Sequence, residues 1–148
     1  GLVIKGNRVL LGKRADSVLL YPGFYEFPPS GGLDPDCLRG KQVDYREQLL
    51  QEMEEETGIL AKDVERIVPY ALLKDNKISL LDLCAVIHMK DSFEPELKIG
   101  EYSEFQWFTP TALDSFILEQ KSSFMPSSLA IFSHIFKEHS VIDLGIGK

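Results

Sequence analysis

An α/β fold with a mixed β-sheet between helices is the architecture the sequence predicts. Three observations carry this. Short apolar runs punctuated by Gly, Pro and Asn pairs mark strands. One segment with helical spacing ends in a glycine stop. The order of elements, two strands, a long loop, a helix, three strands and two helices, is that of helices laid on both faces of one sheet.

Taken in order, Leu2 to Arg14 reads as two strands around the turn pair Gly6-Asn7, with Val9-Leu10-Leu11 as a buried centre. Tyr21 to Lys41 is rich in turn residues and carries Pro22-Gly23, a short aromatic stretch, Pro28-Pro29 and Gly31-Gly32. Val43 to Thr57 has helical spacing, with Tyr45, Leu49, Leu50 and Met53 as its apolar face and Gly58 as its stop. Val64 to Leu73 and Ile78 to Met89 read as strands joined by a turn at Lys74 to Lys77, and Glu104 to Phe108 as a further short strand. Pro110 and Pro126 each suit the first turn of a helix, reaching Glu119 and His139.

Composition narrows the function classes. The 148 residues suit a single domain spanning 1–148, and the 44% hydrophobic and 26% charged fractions exclude a disordered or fibrous chain. With 23 acidic against 16 basic residues the net charge is -7, which argues against affinity for a nucleic-acid polymer. It is compatible with a small phosphorylated substrate bridged by a divalent metal. No apolar stretch reaches the roughly 20 residues of a membrane span. Cys37 and Cys84 form no CxxC pair, and His88, His134 and His139 have no metal-ligand spacing, so a reducing, cytoplasmic setting is expected. The chain begins at Gly1 inside an apolar run, which leaves a longer native chain open.

The chemistry concentrates on the helix. Glu52, Glu55 and Glu56 are related by i,i+3 and i,i+4 spacing and share one face, beside the apolar stripe of Leu49, Leu50 and Met53. Like charges so placed repel, and a hard cation with oxygen ligands, such as Mg²⁺, would relieve them. An acidic run on an amphipathic helix is more often a solvated face, and Gly31-Gly32 alone is ordinarily a turn that lets backbone come close to a neighbour.

The order of these pieces decides between the two readings. It resembles the Nudix hydrolase family, whose box reads G-x5-E-x7-R-E-U-x-E-E-x-G-U with U aliphatic. Glu52 stands at the RE position, Met53 at U, Glu55-Glu56 at the EE pair, then Gly58 and Ile59. Val9 to Arg14, Tyr21 to Pro28, Glu101 to Phe108 and Met125 to Ser128 extend the resemblance over most of the chain. Two departures stand out. Gln51 replaces the arginine, and with Gly32 as the box glycine 18 residues precede Gln51 where the pattern has 13, an insertion of five. Asp34, Asp36, Asp44 and Glu47 are the candidates to replace the box's first glutamate.

The resemblance implies a Nudix-like α/β/α sandwich. It also implies metal-dependent hydrolysis of the diphosphate of a nucleoside diphosphate joined to another moiety, with a nucleotide sugar slightly ahead among the substrates. Glu52, Glu55 and Glu56 become the metal ligands and catalytic residues, and Glu101 or Glu104 the base from a late loop, Glu101 foremost. Arg14, Tyr25, Gly31 and Gly32 are the expected substrate-binding residues. The partner is then a small molecule, not a nucleic-acid polymer or a membrane, and the chain a monomer or homodimer. Two rivals remain, a Nudix-like domain that binds a nucleotide or protein without chemistry, and a prenyl diphosphate isomerase using Cys37 or Cys84. Trp107 and Phe105 are expected in the core, and His88 as a packed or edge histidine.

Overall fold

The computed structural model describes residues 1–33, 35, 38–40, 42–75, 80–94 and 96–138, without the side chains of 75, 80 and 135–138. Strands β1 (Leu2–Lys5) and β2 (Arg8–Arg14) form the expected hairpin, followed by a two-residue strand β3 (Tyr25–Glu26). A small separate hairpin, β4 (Leu38–Arg39) and β5 (Gln42–Val43), occupies the lengthened loop. Helix α1 (Tyr45–Thr57) leads to β6 (Val64–Asp75), β7 (Leu80–Met89) and β8 (Tyr102–Phe108), then α2 (Pro110–Gln120) and α3 (Pro126–Glu138).

The sheet is mixed. Strand β1 runs parallel to β7 and antiparallel to β2, and β7 is antiparallel to β6. Strand β2 is the hub. One of its edges pairs with β8 from Val9 to Arg14; the other is shared by β1, at Arg8 and Val9, and β3, at Gly12 and Lys13. Residue alternation sorts the core into two layers. Leu2, Ile4, Val9, Leu11 and Val86 face α2 and α3 through Leu113, Ile117 and Phe132. Val3, Leu10, Ala85 and Ile87 face Met53 of α1. The expected α/β/α sandwich is therefore present.

Several expected boundaries move for local reasons. Helix α1 starts at Tyr45, not Val43, because Asp44 caps it, accepting from the Glu47 backbone N–H at 3.3 Å, and Val43 belongs to the β4–β5 hairpin. Strand β8 begins at Tyr102, two residues before the expected Glu104, since Tyr102 pairs with Arg14. Strand β6 runs on to Asp75, past the expected end at Leu73, because Lys74 and Asp75 still pair with Leu81 and Leu80 of β7. Residues 76–79 and His139, where a turn and a helix end were expected, lie outside the described residues. Trp107 and Phe105 pack on the α1-side core, and His88 is buried between Ile4 and Arg66 on neighbouring strands. Leu129 and Ile131 of α3 pack on the other layer. Among the described residues, no helix is long and apolar enough to cross a membrane.

Candidate active site

The carboxylate helix is placed by its two ends. Asp44 caps the start; at the other end Gly58, with φ of 77°, closes a bond from its N–H to the Glu54 carbonyl. Beyond it the Lys98 N–H donates to the Thr57 carbonyl at 2.9 Å, and Lys98 Nζ to the Glu55 carbonyl at 3.3 Å. These bonds hold the segment that leads into β8, and the Ala15 N–H fixes the Glu101 carbonyl at 2.7 Å.

Along α1 the three glutamates have different surroundings. Glu52 is half-buried and accepts from Gln48 Nε2 at 2.8 Å. Glu55 is exposed and accepts from Gln51 Nε2 at 3.0 Å. Glu56 is buried; its Oε2 accepts from the Ser30 N–H at 3.1 Å and lies 3.3 Å from the Tyr102 hydroxyl. Gln51 thus occupies the arginine's place as a partner of Glu55.

The Gly31 loop presses on this helix. A Cβ at Gly31 would sit 2.2 Å from Glu52 Cδ, so only glycine lets the backbone come this close to the carboxylate. A cleft of about 190 Å³ opens there, with Glu26, Ser30, Gly31, Gly32, Gln48 and Glu52 on its polar side. Tyr45, Leu49, Leu81, Leu83 and Ile131 supply apolar walls, and Asp82 and Cys84 also border it.

Behind the cleft lies a buried polar cluster. Glu26 and Tyr102 are 2% and 1% exposed, the Tyr102 hydroxyl donates to Glu26 Oε1 at 2.8 Å, and Arg14 forms an ion pair with the same oxygen. Burial, then the Glu26 and Glu56 carboxylates, push the ionisation of Tyr102 far up, so its hydroxyl keeps its proton and donates. Glu56 is pushed up to about 8, first by burial and then by the charges of Glu101, Glu26 and Glu52, against the opposing Ser30 hydrogen bond.

Glu52, Gly31 and Gly32 thus border one cleft, with Glu56 behind it, while Glu55 lies on the exposed side of the helix. Glu101, at the surface, acts on Glu56 through its charge. Two expected substrate-binding residues stand elsewhere. Tyr25 faces the opposite layer, edge-on to Phe116 at 5.0 Å, because its neighbour Glu26 takes the face toward α1. Arg14 spends its guanidinium on Glu26 and on the Leu20 carbonyl, and borders a separate shallow hollow with Glu101. Of the candidates for the lost glutamate, Asp44 caps α1 and Glu47 pairs with Arg39; Asp34 and Asp36 lie outside the described residues.

Sequence reasoning missed Glu26, Tyr102 and Gln48. Alternation in Tyr25-Glu26-Phe27 was the available signal for Glu26, since two aromatics on one face leave the acid on the other. Among the described residues the isomerase reading finds no activated thiol, since burial pushes Cys84 up; Cys37 lies outside them. Ser128, taken as part of a helix start, also accepts from the Phe27 N–H at 3.1 Å and ties α3 to the strand end.

The donor set suits a hard cation. It is made of carboxylate oxygens, and the ionisation of Glu56 is raised first by burial and then by three neighbouring carboxylates, whose charge a divalent ion offsets. Among the described residues, no three His, Cys, Asp or Glu side chains are gathered tightly enough to enclose one.

No protein-family model and no curated protein sequence matches the chain. Solved structures do. A Nudix hydrolase from Alicyclobacillus acidocaldarius superposes with a TM-score of 0.68 at 15% identity, over 99% of this chain and 95% of that one. The Nudix domain of Shewanella oneidensis NrtR, in complex with ADP ribose, gives 0.61 at 18% identity, over 89% and 80%. A bifunctional NMN adenylyltransferase/ADP ribose pyrophosphatase from Francisella tularensis, complexed with AMP and a Mn ion, gives 0.56 at 17%, over 93% of this chain and 39% of that one.

Proposed function

From the Nudix fold that this chain adopts, we propose that it is a metal-dependent hydrolase of a nucleoside diphosphate joined to another moiety, a nucleotide sugar or an ADP-ribose-like compound. The observation that carries the reading is the convergence of Glu26, Glu52 and Glu101 charge on the buried Glu56, behind a cleft narrowed by Gly31. The structural neighbours in complex with ADP ribose and with AMP and a Mn ion support it. A reducing, cytoplasmic setting belongs to the same proposal, with the free buried thiol of Cys84 in its favour.

Glu52, Glu55 and Glu56 would hold Mg²⁺ or Mn²⁺, which when bound offsets phosphate charge and makes a bound water more acidic. The chain's own residues do the rest. Gln48 orients Glu52, and the bare backbone at Gly31 admits the diphosphate beside that carboxylate. The apolar walls receive the substrate's less polar part. Water attacks phosphorus, a new P–O bond replaces the anhydride P–O bond, and Glu52, on the cleft, accepts the proton released by the water. The products are a nucleoside monophosphate and a phosphorylated second moiety.

A product assay over nucleotide sugars, dinucleotides and nucleoside triphosphates, with and without Mg²⁺, tests this beside Glu52→Gln and Glu55→Gln. Metal-dependent cleavage lost in both folded variants is the expected outcome. Nucleotide binding without turnover on any compound would establish instead a binding domain, the reading favoured by Gln51 in the arginine's place. Gly31→Ala is expected to lower turnover at least about tenfold by driving the Glu52 carboxylate from its position. Because Gly31 is exposed, its melting temperature should hardly move, and a large drop in melting with unchanged kcat would refute the assignment.

A further inference from the structure

Glu56 is held from two sides. Ser30, at the edge of the glycine loop, donates its backbone N–H at 3.1 Å, and the Tyr102 hydroxyl stands 3.3 Å away on the same oxygen. That hydroxyl also donates to Glu26 at 2.8 Å, and one phenolic proton cannot fully serve two carboxylates. Arg14 pairs with the same Glu26 oxygen, so that oxygen keeps a cationic partner when the hydroxyl turns to Glu56. The Tyr102 ring is fixed as well, covering Gly12 and lying 5.1 Å from Phe105. Arg14, Glu26 and Tyr102 therefore form a braced unit that ends on the helix carboxylate.

We propose that Tyr102 is a positioning residue, supported by the Arg14–Glu26 pair, that sets the orientation of the Glu56 carboxylate toward a divalent cation. The inference rests on the metal-dependent reading above. Partners behind a metal ligand act on affinity and rate without touching substrate. Tyr102→Phe removes only the hydroxyl and keeps the ring in its place over Gly12.

The test titrates Mn²⁺ into the purified parent and Tyr102→Phe, by calorimetry and by the loss of the free-ion paramagnetic resonance signal. Kinetics are measured on whichever substrate the parent cleaves. The variant should bind Mn²⁺ roughly tenfold more weakly and lose about tenfold in kcat, with substrate KM within about twofold of the parent. Urea unfolding of both metal-free proteins confirms that the variant is folded. Equal Mn²⁺ affinity and equal kcat would overturn the inference and leave Tyr102 as packing alone. A parent that neither binds Mn²⁺ nor turns over any compound would instead overturn the hydrolase reading itself, and the inference with it.

Discussion

Glu56→Gln is expected to make the metal-free protein more resistant to urea at pH 9 than its parent, and to remove metal-dependent turnover. The carboxyl group is raised from its ordinary value of 4.5 to about 8 in the folded chain. Below pH 4.5 it is protonated in folded and unfolded chains alike, and its contribution to stability is fully present. As pH rises toward and through 8 the unfolded chain is already ionised while the folded one must ionise against burial and three carboxylates. Stability is therefore lost over that window, by an amount on the order of a few kcal/mol. Glutamine cannot ionise and escapes this loss. Unfolding midpoints at pH 5 and pH 9, in chelator and in excess Mg²⁺, check the argument. The parent should fall between the two pH values in chelator and recover with Mg²⁺ by mass action. The variant should do neither, and turnover should drop about a hundredfold or more. Parallel pH profiles for the two proteins would contradict it.

Gly12→Ala is the second large effect. A Cβ there would lie 2.4 Å from Tyr102 Cδ1 and 2.7 Å from Cε1, well inside contact. The ring has no room to retreat, since Tyr102 is 1% exposed and its hydroxyl is held by Glu26. Overpacking of this kind costs about 1–3 kcal/mol. Urea unfolding should show the loss, and Tyr102→Leu in the same chain should recover part of it, a coupling that independent sites would not show. A Gly12→Ala protein within about 0.5 kcal/mol of the parent would mean the ring moves freely.

The layers of the fold were legible because strand alternation is a local property. Leu2 and Ile4 against Val3, and Val9 and Leu11 against Leu10, already separate the two faces before any partner is known. Helix α1 was legible from spacing and its glycine stop. The ranking of its glutamates was not, because spacing places Glu52, Glu55 and Glu56 on one face but does not say which edge of that face the sheet covers. Glu56 falls on the covered edge and Glu55 on the open one. The Arg14–Glu26–Tyr102 cluster was illegible for a different reason. Tyr102 bonds to Glu26 from 76 positions away, and the pairing of β2 with both β3 and β8 is what brings the three together. The β4–β5 hairpin was hidden because a five-residue insertion predicts length and not shape.

The doubly shared edges of β2 also set a timetable for synthesis. Strands β1 and β2 contain some of the most buried side chains, yet one awaits β7 and the other awaits β8, the last strand among the described residues. While residues 15–79 are made, the β1–β2 hairpin can gain β3 and helix α1, whose Met53 shares a core layer with Val3 and Leu10, but neither β7 nor β8. Distant pairings of this sort slow folding and prolong the exposure of apolar segments. Residues 2–14 thus hold apolar strand that lacks its full set of sheet neighbours until β8 has been made.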